Sequence, residues 1–183
     1  QGMSLGQSEH DFFRRAAHTT VPHGRVQRQT TLKGPINCSG IGLHSGSKVS
    51  LTLEPGAPDT GIVFIRTDMP AERAAIRADW RSVVDTRLCT VIANQHGAQV
   101  GTVEHLMAAL AGCGVDNAVV RVDRPEVPAM DGSAEPFVFL IECAGTVEQA
   151  APRRAIQVLK PVSAGKDGHY ASLAPADSAL LSF

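Results

Sequence analysis

The residues best suited to chemistry stand side by side in Thr102-Val103-Glu104-His105-Leu106-Met107-Ala108-Ala109-Leu110. At about 100° per residue this segment reads as a helix with Val103, Leu106, Met107 and Leu110 on one buried stripe, which turns Glu104 and His105 the other way. On that opposite side Ala108 and Gly112 are too small to fill space, so the pattern predicts a cavity over the first turn, rimmed by an acid and an imidazole. Position adds to residue type. The positive end of the helix dipole disfavours a charged imidazole and favours an ionised carboxylate. His105 is thereby biased toward the neutral form a metal requires, and Glu104 toward the form that accepts a proton. A carboxylate beside a metal-bound water, whose pKa has fallen to about 7, is the arrangement by which zinc hydrolases make hydroxide. Ordinary capping electrostatics also explain a first-turn Glu, and a single His need bind nothing. No H-E-x-x-H is present, because Ala108 and Ala109 occupy the positions of a second ligand, so this helix alone cannot complete a site.

Two other segments carry polar groups at turns. Gly40-Ile41-Gly42-Leu43-His44-Ser45-Gly46 lacks the glycine spacing of a dinucleotide loop and is not followed by a helical pattern, so it reads as a turn with His44 at its tip. Met130-Asp131-Gly132-Ser133-Ala134 puts an acid directly before a helix start, where a structural turn competes with a functional role.

The elements that must position these groups follow from periodicity and punctuation. Thr102 is expected to cap a helix over 103–111 that ends at Gly112 and Gly114. A second helix is expected over 134–144, with Ser133 as cap, Pro136 tolerated in the first turn and Gly145 as a left-handed stop. Short strands are expected at 29–32, 48–53 with Val49, Leu51 and Leu53 alternating, 61–65, 87–93, 117–122 and 155–159. That order predicts an α+β fold, a two-layer sandwich of a mostly antiparallel sheet with two helices on one face, followed by the first strands of a truncated second domain. The expected organisation is a mobile leader over 1–26, an amino-terminal domain over 27–151, and the beginning of a second domain over 152–183. Gln1-Gly2 before Met3 suggest a cloning scar, and the apolar ending Ala179-Leu180-Leu181-Ser182-Phe183 suggests a chain cut inside a strand.

Composition narrows the class. The 183 residues are 43% hydrophobic and 19% charged, with a net charge of −1, so the chain reads as globular and lacks the clustered cations that nucleic acid binding needs. No apolar stretch approaches the roughly 20 residues of a membrane span, and no secretory signal is evident. Cys38, Cys89, Cys113 and Cys143 are widely spaced and form no C-x-x-C pair, as expected of reduced residues in a cytoplasmic protein.

Taken together, Gly40-Ile41-Gly42-Leu43-His44-Ser45-Gly46, Leu88-Cys89-Thr90, Thr102-Val103-Glu104-His105-Leu106, Gly114-Val115-Asp116-Asn117 and Met130-Asp131-Gly132-Ser133-Ala134 resemble, in order and spacing, the UDP-3-O-acyl-N-acetylglucosamine deacetylases of lipid A synthesis. The resemblance covers about residues 26–183. It implies zinc-dependent hydrolysis of the 2-acetamido group, with Glu104 as general base and His105 as a zinc ligand. It further implies Asp131 as an acid supporting activity at the edge of the site, and Cys89 as a residue lining the substrate passage. A buried strand position explains Cys89 equally well. The family's other His and Asp zinc ligands and a further catalytic His come from its second domain, and nothing in this chain matches them. With one protein ligand in place of the usual three, this chain alone is not expected to hold zinc tightly. Two other readings remain open at this point. One is a naturally short, non-catalytic module that binds the nucleotide sugar or a protein. The other is a metal hydrolase completed by dimerisation, with His44 or Asp131 donated by another copy.

Overall fold

A computed structural model describes residues 27–178 and 180. The expected leader and most of the apolar ending lie outside the described residues. The chain divides into two compact units, one ending at Arg153 and one beginning at Arg154.

The first unit is organised by a five-stranded sheet. Its strands are β2 (Ile36–Ile41), β3 (Lys48–Pro55), β4 (Ile62–Arg66), β5 (Ala75–Arg77) and β9 (Ala118–Val122), in the order β2-β3-β9-β4-β5. All neighbours are antiparallel except β4 and β9, which run parallel. A parallel pair needs a crossover, and this one passes through α1 (Ala71–Ala74), a small sheet and α2 (Glu104–Gly112). Alternation along the strands buries one face only: Val49, Leu51 and Leu53 of β3, Ile62 and Phe64 of β4, and Ala118, Val120 and Val122 of β9. They form one core with Leu106, Ala109 and Leu110 of α2 and with Phe137 and Ile141 of α3 (Glu135–Ala144). Each large side chain buried this way contributes roughly 1.5–3 kcal/mol relative to exposure. The result is the expected α+β two-layer sandwich. Both long helices end as anticipated, with Gly114 at φ 68° after α2 and Gly145 at φ 70° after α3. Positive φ costs glycine little.

Strands β2 and β5 were not anticipated, and one expected strand is broken up. Residues 87–93 do not form one strand; β6 (Val83–Asp85), β7 (Val91–Ala93) and β8 (Gln99–Val100) make a three-stranded sheet instead. The cause is an Asx turn: Asp85 Oδ1 accepts from the Arg87 N–H at 3.0 Å, and the Arg87 guanidinium closes on the same carboxylate at 2.7 Å. Arg87–Thr90 is thereby bent out of the ladder.

A two-stranded ribbon, β1 (Arg28–Leu32) with β10 (Thr146–Pro152), joins the two extremes of this unit. A closed set of hydrogen bonds ties it to the sheet. Asn117, 1% exposed, donates through Nδ2 to Gln29 Oε1 at 2.8 Å and Gln149 Oε1 at 2.7 Å, and its Oδ1 accepts from the Gly61 N–H at 2.8 Å. Thr31 Oγ1 donates to the Asn117 carbonyl and accepts from the Gly56 N–H. Next door, Asp116 Oδ2 accepts from the Thr30 N–H at 2.7 Å and pairs with Arg153 at 2.8 Å. The Gly114–Asn117 motif is therefore a structural fastening.

In the second unit the strand expected at 155–159 is absent. That stretch is irregular, and Ile156 and Leu159 are exposed. A hairpin follows, β11 (Val162–Lys166) with β12 (His169–Leu173). Its turn residues Asp167 and Gly168 both take positive φ, the pairing that suits a tight hairpin turn. Among the described residues, no helix is long and apolar enough to cross a membrane.

Candidate active site

The start of α2 departs from expectation in a way that matters for the site. The helix begins at Glu104, one residue late, and Thr102 does not cap it. Thr102 instead sits at φ 56°, a left-handed conformation that is costly for a β-branched residue. Its hydroxyl turns away from the helix and donates to Glu126 Oε1 at 3.0 Å.

Glu126 is the residue the motifs overlooked. It is 4% exposed, and besides Thr102 its carboxylate accepts from the backbone N–H groups of His44 at 2.9 Å and Ser45 at 3.0 Å. Burial pushes its pKa up, but the amides of His44 and Ser45 with the hydroxyls of Ser45 and Thr102 outweigh that, and the net direction is down. The Gly40–Gly46 segment is a turn only over 43–45, with His44 in it as expected, because Gly40 and Ile41 end β2; the turn is anchored from below by a buried anion. Gly42 is obligatory there, because a Cβ would meet Glu126 Oε2 at 2.5 Å. In the sequence Glu126 is an isolated acid between Pro125 and Pro128, and its one visible signal is a charge set among the apolar Val127 and the prolines.

Glu104 is exposed, as predicted, and its Oε2 accepts from the Thr90 N–H at 3.1 Å. His105 is not facing open space as expected; it is 8% exposed. The physical reason is α3, which local periodicity does not place: Phe137 stands edge-on to the imidazole with ring centroids 5.2 Å apart. His105 Nε2 lies 3.0 Å from the Pro128 carbonyl, which can only accept, so Nε2 carries a proton. Neither partner belongs to the five-stranded sheet. Among the described residues Nδ1 has no hydrogen-bond partner, and no buried side-chain nitrogen lacks one, so Nδ1 is not sealed off. A ring nitrogen fixed on a carbonyl, with the other bearing a free lone pair, is how metal-ligating histidines are held.

Asp131 is exposed. Its Oδ1 accepts from the N–H and the hydroxyl of Ser133, both at 2.9 Å, and the Ser133 hydroxyl accepts from the Glu135 N–H at the start of α3. These bonds, the backbone one first, hold its carboxyl below the usual range. Asp131 is thus a turn former at the start of α3. Cys89 is half-buried and lines an open groove of about 810 Å³ together with His44, Leu88, Gly101, Thr102 and Pro125. His105 and Asp131 do not line that groove. Glu104 does not line it either, and its carboxylate holds the backbone of Thr90, the residue after Cys89.

The donor set fits one ligand of a zinc site and no more. His105 offers a lone pair, but among the described residues no group of three or more His, Cys, Asp or Glu converges as a metal cage would require.

A family profile described as UDP-3-O-acyl N-acetylglycosamine deacetylase matches residues 29–183. The chain is 55% identical over 156 residues to a UDP-3-O-acyl-N-acetylglucosamine deacetylase of Acidithiobacillus ferrooxidans, covering 85% of this chain and 51% of that protein. Proteins of the same name from Tolumonas auensis and a Shewanella species are each 49% identical over 148 residues, covering 81% and 80% of this chain and 48% of their own lengths. The chain spans about half the length of the curated relatives it matches. A profile match over most of the chain, with the Glu104–His105 pair set at a helix start, assigns the chain to the UDP-3-O-acyl-N-acetylglucosamine deacetylase family.

Proposed function

We propose that these residues form the amino-terminal part of a cytoplasmic enzyme that hydrolyses the 2-acetamido group of UDP-3-O-acyl-N-acetylglucosamine in lipid A biosynthesis, releasing acetate and leaving a free amine. The observation that carries the reading is the pairing at the start of α2: an exposed carboxylate on Glu104 beside an imidazole whose Nε2 is tied to Pro128 and whose Nδ1 is open. His105 supplies one zinc ligand, and the remaining ligands come from a second domain that begins near residue 152. Zinc, when bound, polarises the amide carbonyl and acidifies the attacking water. Glu104 takes the proton from that water and passes it to the leaving amine. Cys89 lines the path of the sugar nucleotide, and Asp131 supports activity at the edge of the site.

The test is Glu104→Gln in the full-length protein. Turnover is expected to fall by about two orders of magnitude or more while zinc content is kept, since general base catalysis contributes on that scale. Unchanged turnover removes Glu104 from the role of base.

A further inference from the structure

Several independent restraints meet on the four residues Pro125, Glu126, Val127 and Pro128. The Glu126 carboxylate holds His44, Ser45 and Thr102. The backbone of the same segment is laced to the residue before Thr102, with Gly101 N–H donating to the Pro125 carbonyl at 2.9 Å and Val127 N–H donating to the Gly101 carbonyl at 3.1 Å. Two residues further on, Pro128 offers its carbonyl to His105. Thr102 itself is held in a conformation that costs on the order of 1–3 kcal/mol and persists only where the surroundings enforce it. A fully solvated acid could not do this; a buried carboxylate facing two backbone amides and a hydroxyl is fixed in space.

We infer that Glu126 is a positioning residue of the deacetylase site, a brace that locks the His44–Ser45 turn to the strained Thr102 and thereby sets the direction in which Glu104 and His105 leave the first turn of α2. Glu126 touches no reacting atom; it acts through Thr102 and the loop. The same brace fixes one wall of the groove, because His44 and Thr102 both line it beside Cys89. Thr102 occupies a hinge position: released from Glu126, it relaxes toward an ordinary conformation and α2 starts with a different pitch. Displacement of a catalytic group by about 1 Å can cost on the order of a hundredfold in rate, so loosening this brace acts on turnover more than on substrate binding.

The inference rests on the deacetylase reading, and two kinds of measurement separate them. Amide hydrogen exchange on this chain reads the brace alone: Glu126→Gln is expected to speed exchange at His44 and Ser45 selectively, and unchanged protection at both overturns the brace whatever the protein catalyses. In the full-length zinc-loaded protein, Glu126→Gln and Thr102→Val are expected to lower kcat about tenfold or more, with any rise in KM from the loosened groove wall smaller than the fall in kcat, while Thr102→Ser, which keeps the hydroxyl, stays near wild type. Zinc content and thermal midpoint are read on the same samples, and Thr102→Val serves if Glu126→Gln does not fold. Wild-type kcat in a folded, zinc-loaded Thr102→Val variant overturns the positioning role. Absence of deacetylation by the wild-type enzyme sinks the functional reading and leaves the exchange result to decide the brace.

Discussion

Asn117 and Glu126 are both more than nine-tenths buried, and both fasten distant loops through side-chain hydrogen bonds. Around Asn117 every side-chain donor and acceptor is matched within the protein, and the partners Gln29, Thr31 and Gln149 belong to the ribbon it secures. Around Glu126 the matching stops one residue short of the helix. Thr102 is satisfied, but Glu104 keeps one N–H partner on an exposed carboxylate, and His105 keeps an open ring nitrogen. The difference separates scaffolding from chemistry. A polar cluster built for stability uses up its valences, whereas one built to act uses a closed part to aim an open part.

The fold is most sensitive at Asn117. Asn117→Ala leaves the Gln149 carbonyl oxygen and the Gly61 amide without a partner, while Gln29 Oε1 keeps the Asp59 N–H, at about 1–3 kcal/mol for each buried group stranded. A loss of roughly 3 kcal/mol or more is expected in urea denaturation. A loss below about 1 kcal/mol would show that the cluster is dispensable to the fold. The next largest effect is expected at Gly42→Ala, whose new methyl group collides with Glu126 Oε2. Overpacking of this kind costs roughly 1–3 kcal/mol. Because the collision falls on the brace, turnover of the full-length enzyme should fall as well, which Asn117→Ala at a temperature where it stays folded should not reproduce. The smallest effect is on pH dependence. The Glu126 carboxyl lies below its ordinary value of 4.5 in the folded chain, so its ionised form stabilises fully above 4.5 and this contribution disappears as pH falls through the lower folded value. Glu126→Gln lacks the contribution, so the stability gap between wild type and variant should be wide at pH 6 and narrow at pH 3. A gap that widens on acidification would contradict the assigned direction.

Much of the scaffold was legible because it depends on local patterns. The alternation of Val49, Leu51 and Leu53, the apolar spacing of Leu106 and Leu110, and the glycine after Ala144 each announce an element or its end. What escaped depends on partners far away in the chain. Nothing near Thr102 signals a left-handed backbone, because a threonine before an acid ordinarily caps a helix; the competing acceptor is Glu126. The outward face assigned to His105 is covered by Phe137 of α3, whose docking no single-helix periodicity describes. The strand expected at 87–93 yielded to Asp85, whose side chain captures the next turn. The candidate pair itself was visible as residue types. The reason it points where it does was not, since that reason is a carboxylate more than twenty residues downstream.

The β1–β10 ribbon has a consequence for how the chain comes together. Arg28 pairs with Pro152 and Leu32 with Thr146, so β1 is made early yet has no strand partner until nearly the whole first unit has left the ribosome. Until then the Asn117–Gln149 bond cannot close, although Gln29 and Thr31 can meet Asn117 once that residue is made, and the amides of β1 that pair with β10 lack their partners. Contacts of such high sequence separation form slowly and leave unpaired edges open to aggregation. Synthesis rate and chaperone supply, acting on that interval, are therefore expected to govern yield more than the stability of the finished sandwich.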